Sequence, residues 1–416
     1  MKRKEIINFF SLFVVQGSNA ILPVLVFPLV LSRLGNFSYS KIVITESIIF
    51  IPYAFILYSF EVNGVSKIIN YRIENKIKQI TKLFSQVFVI RLLIFILSLL
   101  LIIISGFFIN QVDLFLLLIW LMFPLSYIFQ NSYFYLGYQN NFPLAISVLF
   151  SRIICFVLIY YLLNKNSSVY LAPLLIGLSF MVSGLISFIY ILIKYKIRLS
   201  LPNYRELKHQ IIEGKEIFFG NISVLLFKDI NVLIVSFITK DPNLISSYSI
   251  AEKIVKSLQA SLRPINQFFY PKGLILINTI NKANNKAFRE ILKVTKTQLT
   301  LIFVLIISFF VGINYLQNYD FLSFLKNNKD SISLISIMIF SIFFGVLNFM
   351  YGTLGLNHLG QKRYFAMSIF LTGLISLVTL LLLTKYFSIY GTATNFVLSE
   401  LILLVFIMNK YKIKLL

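Results

Sequence analysis

The chain has 416 residues, of which 58% are hydrophobic and 13% charged, and its mean hydropathy is +0.85. Soluble domains carry about 25% charged residues, so a water-soluble fold is excluded and an all-α integral membrane protein is expected. The net charge of +23 does not indicate nucleic acid: most of the 38 lysines and arginines fall in the N-terminus, 65–82, 194–215, 272–296, 358–363 and the C-terminus, as the positive-inside rule requires of cytoplasmic segments.

About twelve apolar stretches of roughly 20 residues are long enough to span a bilayer. They centre on Ile21, Phe50, Ser98, Trp120, Ile153, Phe180, Leu226, Lys256, Val304, Phe340, Leu374 and Leu401. The first follows Met1-Lys-Arg-Lys without a small-residue cleavage site, which predicts a retained span. The second carries Glu46 at mid-span. Arg91 lies just inside the third, after basic loop residues, where snorkelling to the interface is expected. Tyr133, Tyr135 and Tyr138 close the fourth. Their rings could stack on sugars, although an interfacial belt is the commoner use. Arg152 lies mid-span in the fifth. With Glu46 and with Glu400 of the twelfth, it belongs either to an interhelical network or to a transport site.

The stretch from Lys194 to Gly214 is the only good hinge, and it predicts lobes at 1–205 and 206–416. Beyond it, Lys228 and Asp229 are neighbours in the seventh span. Neighbours on a helix do not face each other, so each pairs with a different helix or one points into a cavity. Asp229 is the first candidate for cation coupling. Outside loops are short, the longest near 317–330, and no segment is large enough for a soluble domain.

The eighth span is polar along one side. At 3.6 residues per turn, Tyr248, Glu252, Lys256, Gln259, Arg263 and Gln267 fall within about a quarter-turn, and Asn266 and Tyr270 join them. Lys253 lies beside this stripe. Ala251, Ile254, Val255, Leu258, Leu262, Ile265 and Phe269 take the other side. A charge at bilayer depth costs about 2.5–3.5 kcal/mol on insertion scales and usually faces a bundle interior or a wet cavity. The stripe therefore points to a path for something polar and anionic. Glu252 and Lys256 also have the spacing of an internal ion pair. Arg263, about 16 Å beyond Glu252 along the helix, is placed equally well for lipid phosphate or substrate. Pro264 is expected to kink the helix.

The two halves resemble each other. Ser38-Tyr39-Ser40 opens the second span as Ser247-Tyr248-Ser249 opens the eighth. Tyr135-Leu136-Gly137 with Asn140 closes the fourth as Thr353-Leu354-Gly355 with Asn357 closes the tenth. Six helices per repeat is an even number, so the repeats share an orientation, related by a pseudo-two-fold axis along the membrane normal. Transporters built this way hold substrate between the lobes.

Gln16-Gly17-Ser18-Asn19, Leu22-Pro23, Phe27-Pro28 and Leu31-Ser32-Arg33-Leu34-Gly35 resemble the opening of the Wzx-type polysaccharide flippases, in the multidrug/oligosaccharidyl-lipid/polysaccharide exporter superfamily. Pro124 with Phe129-Gln130, Glu213-Gly214 through Phe218, Tyr248 to Ile254, Pro264-Ile265 and Tyr270-Pro271 continue the resemblance over roughly residues 8 to 275. Phe37-Ser38-Tyr39 departs from the small, Gly-containing segment usual after Leu-Gly. The resemblance implies a twelve-helix, two-lobed exporter of undecaprenyl-diphosphate-linked oligosaccharide repeat units. It would work in the bacterial inner membrane for O-antigen or capsule synthesis, among membrane lipids and possible polymerase and chain-length-regulator partners. Arg33, within the opening motif, caps its span end or contacts substrate.

Lys256, Arg263, Glu252, Lys253, Gln259, Lys228, Arg152 and Arg33 are thus the candidate cavity residues, and Asp229, Glu46 and Glu400 the candidates for ion coupling. No phosphate loop or nucleophile elbow occurs, and Cys155, His209 and His358 are isolated, so no cofactor or metal is expected. Two other readings stay open. One is a multidrug–cation antiporter of the same fold, which would favour acidic cavity residues. The other is an O-antigen polymerase, which would carry a large outside loop.

Overall fold

The computed structural model describes residues 3–108, 113–262, 266, 284–316, 329–357 and 359–412, and every regular element among them is helical. In chain order these are α1 (Arg3–Ile21), a π-helical turn (Leu22–Val26), α2 (Phe27–Leu57), α3 (Phe60–Ile73), α4 (Ile77–Phe108), α5 (Leu114–Trp120), α6 (Met122–Phe129), α7 (Ser132–Tyr138), α8 (Phe142–Leu162) and α9 (Leu171–Lys194). Then follow α10 (Tyr204–Lys228), α11 (Asn231–Thr239), α12 (Pro242–Ser261), α13 (Asn284–Leu316), α14 (Lys329–Met338), α15 (Phe340–Leu347), a second π-helical stretch (Asn348–Leu356) and α16 (Lys362–Lys412). Helices satisfy their own backbone polar groups, which lipid cannot do, so long apolar runs become helices and not open strands.

Nine stretches of the described residues are long and apolar enough to cross a membrane. Two of these, of 67 and 50 residues, are long enough for two spans each and turn at a non-helical residue. The first, Ile7–Ile73, is interrupted at Gly35, whose φ of 74° and ψ of 171° leave the helical region. The last, Lys362–Tyr411, is interrupted at Ser388 (φ 53°, ψ −138°). Across Ser388 the chain folds back on itself. Thr384 Oγ1 meets Thr392 Oγ1 at 2.8 Å, and Thr379 Oγ1 donates to Asn395 Oδ1 at 2.6 Å. Farther from the bend, Tyr364 donates to the Phe406 carbonyl at 2.8 Å. The pairs widen symmetrically about the turn, the signature of an antiparallel helical hairpin. Gly391 lies directly against the Leu383 carbonyl, where a side chain has no room. Dividing these two stretches raises the nine to eleven, and α12, too charged to count as apolar, is the twelfth.

The chain forms two compact units. Unit 1 is Met1–Val26 with Arg33–Leu225, and unit 2 is Phe27–Ser32 with Leu226–Leu416. They part inside α10, beyond the expected division at 205/206, because most of α10 is bonded to unit 1. Tyr58 Oη donates to the Ile211 carbonyl at 2.6 Å and Asn221 Nδ2 donates to the Tyr58 carbonyl at 2.5 Å. Gly214 sits against Tyr58 and Ser59, so closely that only a hydrogen fits on its Cα.

The core of unit 1 corrects two expectations. Tyr133 and Tyr135 are fully buried and form neither a belt nor a sugar platform. The fourth span breaks at Asn131 between α6 and α7, which turns these rings inward. Tyr135 Oη donates to the Ser187 carbonyl at 2.7 Å, and Tyr138 stacks on Phe134 with centroids 4.7 Å apart. Gly64 makes room for Tyr133, since a Cβ there would lie 2.8 Å from its ring. Arg91 does not snorkel either, being wholly buried. Its Nη2 meets Glu61 Oε1 at 2.9 Å, its Nη1 donates to the Tyr127 carbonyl at 2.9 Å, and Ser132 donates to the other Glu61 oxygen at 2.7 Å. A partner carboxylate one span away removes the reason to reach for water.

Outside the membrane spans, Asp113 joins two elements of unit 1. Its Oδ1 caps α5 by accepting from the Leu116 amide at 3.0 Å, and its Oδ2 accepts from the Tyr170 hydroxyl at 2.9 Å. That bond to a carboxylate holds the phenol proton in place and raises the Tyr170 pKa above its ordinary value, with burial adding to the effect.

Candidate intramembrane charge cluster

Unit 2 gathers five of its charged side chains from the seventh, eighth and twelfth spans. The seventh span breaks where α10 ends at Lys228 and α11 begins at Asn231. A break frees carbonyls that a helix would have satisfied. The Asn231 amide reaches back to two of them, those of Phe227 and Lys228, at 3.5 and 3.4 Å, and also to Glu252 Oε1 at 3.3 Å. The break also separates the directions of Lys228 and Asp229. Asp229 Oδ1 pairs with Lys256 Nζ at 2.9 Å, while Lys228 Nζ pairs with Glu400 Oε1. Each residue of this adjacent pair therefore bonds a different helix.

Lys256 is shared. Besides Asp229 it meets Glu252 Oε1 at 3.3 Å, the internal pair that the i,i+4 spacing allowed. Glu400 accepts a second bond at Oε2, from Asn348 Nδ2 at 2.7 Å, in the π-helical part of the tenth span. The same amide also reaches the Glu400 backbone carbonyl at 2.9 Å. Widening the helical turn there brings Asn348 onto a carboxylate as well as a backbone group. The side chains of Glu252 and Glu400 are 5% and 3% exposed, those of Lys228, Lys256 and Asp229 27%, 27% and 32%. Three carboxylates thus face two ammonium groups, the carboxylates of Glu252 and Glu400 deep and the rest partly open.

The polar stripe of the eighth span is buried on more than one side. Tyr248 and Glu252 are buried, but so are Ile250, Ala251, Ile254 and Val255. Gln259 donates to Ser341 Oγ at 2.9 Å, and Lys253 lies 3.7 Å from the centre of the Phe27 ring. Arg263, Pro264, Gln267 and Tyr270 lie outside the described residues; at the far end of the stripe only Asn266 is described, accepting at Oδ1 from Gln298 Nε2.

The remaining candidates belong to unit 1 and do not join one network. Arg33 donates to the Leu163 carbonyl at 2.8 Å and lies 5.7 Å from the Tyr160 ring centre, so it closes the end of the fifth span and not of its own. Arg152 is fully buried, donates to Ser179 Oγ at 2.9 Å and lies 3.6 Å from the Phe180 ring centre. Glu46 is buried in α2. The expected grouping of Arg152, Glu46 and Glu400 is replaced for Glu400 by Lys228 and Asn348.

Sequence reasoning missed Asn231 and Asn348, which complete the cluster, and Glu61, which holds Arg91. A neutral amide at bilayer depth was a readable signal for the first two, and Asn231 also follows the charged neighbours Lys228 and Asp229. Glu61 was hidden by the basic residues that follow it.

Comparison with known proteins places the chain in a family. A “Putative O-antigen transporter” of Escherichia coli (strain K12) is 24% identical over 286 residues, 65% of this chain and 68% of that one. Among solved structures, an inward-facing multidrug resistance MATE family transporter of the MOP superfamily matches with a TM-score of 0.75 at 12% identity, over 95% of this chain and 94% of that one. The lipid II flippase MurJ in an inward closed conformation matches with a TM-score of 0.61 at 14% identity, over 98% and 87%. These structures establish a membrane-spanning, two-lobed helical fold. The polysaccharide biosynthesis protein family matches residues 6–272, well over half of the 416, and the chain belongs to that family.

Proposed function

We propose that this multi-pass membrane protein is a flippase for undecaprenyl-diphosphate-linked oligosaccharide in the bacterial inner membrane. It moves repeat units from the cytoplasmic to the outer face, with both termini in the cytoplasm, and supplies a polymerase and chain-length regulator of the same route. Membership of a polysaccharide biosynthesis family supports this reading, as do the relative named for O-antigen transport and the fold shared with a lipid II flippase.

The observation that carries the mechanism is the charge imbalance inside unit 2. Among the described residues in direct ion-pair contact, three carboxylates (Asp229, Glu252 and Glu400) meet two ammonium groups (Lys228 and Lys256), while the Lys253 ammonium lies over the Phe27 ring. An uncompensated charge at bilayer depth is costly, so a proton or monovalent cation is favoured there. A cation taken by Asp229 would release Lys256 from one of its two carboxylates. The freed ammonium is then the ligand for the substrate diphosphate, which makes substrate capture depend on the ion. Asp229 and Glu400 are in this reading the coupling residues. Arg263 and Lys253 assist on the same helix, and Gln259, Lys228, Arg152 and Arg33 reach substrate only by giving up the partners described above.

Deletion of the gene tests the function. Undecaprenyl-linked repeat units should accumulate on the cytoplasmic leaflet and surface polysaccharide should disappear. Normal surface polysaccharide in the deletion strain, or polymerisation of repeat units by the purified protein in liposomes, would replace this reading. The surplus carboxylate also suits a multidrug–cation antiporter, and that function would show as increased drug susceptibility in the same strain with polysaccharide intact.

A further inference from the structure

Unit 1 holds a polar cleft that the transport reading leaves unused. It has a volume of about 320 Å³ and is lined by Tyr71 at the end of α3, by Gln79, Lys82, Leu83 and Gln86 of α4, and by Arg205, Glu206, His209 and Gln210 of α10. The volume lies at the small end of the range for ligand sites, about 300–1,000 Å³.

The floor of the cleft is already bonded. Glu206 Oε1 pairs with Lys82 Nζ at 2.7 Å, and Glu206 Oε2 accepts from Gln86 Nε2 at 3.1 Å. Gln210 Nε2 donates to Gln86 Oε1 at 2.9 Å, and Lys67 Nζ donates to Gln210 Oε1 at 2.8 Å. Both carboxylate oxygens of Glu206 are thus occupied, and its charge is met by Lys82. The rim is different. Among the described residues, the side chains of Arg205, Gln79 and Tyr71 make no hydrogen bond or ion pair. They bring a guanidinium, an amide and a phenol to one opening. His209 adds an imidazole whose Nδ1 lies 3.5 Å from Glu213. These groups are donors around a net positive opening, the chemistry that binds a phosphate ester.

The depth of the cleft names the source of that ester. α4 has 32 residues, about 48 Å at 1.5 Å per residue, against a hydrocarbon core of about 30 Å. The excess falls at its N-terminal end, where Lys78, Gln79, Lys82 and Gln86 lie, and puts these residues at headgroup level. α10 begins the 36-residue stretch Tyr204–Thr239 and overhangs in the same way. Basic pockets between membrane helices on the cytoplasmic side take the headgroups of anionic lipids. We propose that this cleft is a binding site for the phosphoglycerol headgroup of an anionic phospholipid. A bound headgroup bridges α10 to α3 and α4 and fastens the inter-lobe connection to unit 1.

The test uses purified full-length protein, depleted of lipid, and reads its thermal unfolding on adding phosphatidylglycerol, phosphatidylcholine or inorganic phosphate. Phosphatidylglycerol should raise Tm and the other two should not. Arg205→Gln with Tyr71→Phe should keep the lipid-free Tm and weaken the response at least about tenfold in lipid concentration, whereas Lys385→Gln, at an exposed lysine of α16 in unit 2, should leave it unchanged. An equal response to phosphatidylcholine would overturn the proposal, as would an undiminished response in the double variant or an equal loss in Lys385→Gln. A response to inorganic phosphate as large as that to the lipid would assign the cleft to free phosphate and overturn the lipid assignment. The readout does not depend on what the protein transports.

Discussion

Lys256 sits between Asp229 and Glu252, so removing it does two things at once. It takes away a possible diphosphate ligand, and it leaves two carboxylates facing each other. Breaking a buried pair costs about 3–5 kcal/mol, and partial exposure of Lys256 and Asp229 brings this to about 1–3 kcal/mol. Lys256→Gln should therefore lower membrane abundance as well as export, and Lys256→Arg should keep both. Asp229→Asn combined with Lys256→Gln should recover abundance without export, as should Glu252→Gln with Lys256→Gln. Immunoblotting of membranes beside surface polysaccharide separates the two effects, and normal export by either abundant double variant would reduce Lys256 to half of a structural ion pair. The sequence singled out Glu252, Lys256, Lys228 and Asp229, because charges at bilayer depth announce themselves. It did not show who pairs with whom. Glu400 lies 172 positions from Lys228 and meets it only through the packing of the twelfth span, and helical spacing says nothing about such distant partners. Arg91 illustrates the same limit, since position along a span cannot reveal that Glu61 waits inside.

At the scale of elements, apolar runs announce helices well and breaks poorly. The seventh span reads as one stretch around Leu226 but splits at Asp229, and the fourth splits at Asn131 without a proline or glycine there. In both, an asparagine amide satisfies carbonyls that the break releases. The last two spans join with no gap at all, around Ser388. Its φ of 53° with ψ of −138° lies where L side chains are strained and glycine is not, at a cost of about 1–3 kcal/mol. Ser388→Gly should therefore raise Tm in detergent, by a few degrees, without changing export. A lowered Tm would mean that the serine side chain stabilises the bend by more than the backbone strain costs. Tyr39 and Tyr248, at matching places in the proposed repeat, are both fully buried. Gly137 and Gly355 are both tightly packed: a Cβ on the first would lie 2.6 Å from Ile68, and on the second it would fall on the Tyr411 hydroxyl.

For the molecule as a whole, composition and periodic apolar length were enough for the membrane class and for twelve spans, because the bilayer fixes helix length. The unit boundary was not legible: α10 carries the polar residues of a linker, yet it docks on unit 1 through Tyr58, Lys67 and Gln86. The proposed orientation rests on the basic segments, and reporter fusions after Leu416 and near Leu201 should be active only as cytoplasmic fusions; a periplasm-active fusion at either position would break the twelve-span topology. The central claim is that the chain moves a lipid-linked oligosaccharide and that the acids of unit 2 couple it to a cation. The most direct measurement reconstitutes purified protein in liposomes carrying a fluorescent polyprenyl-diphosphate oligosaccharide, and follows its appearance on the other leaflet under an imposed ion gradient. The wild-type protein should translocate it faster than empty liposomes, with a rate that responds to the gradient, and Asp229→Asn and Glu400→Gln should fall to the empty-liposome rate while remaining folded. Translocation no faster than in empty liposomes, or unaltered by both substitutions, would contradict the account.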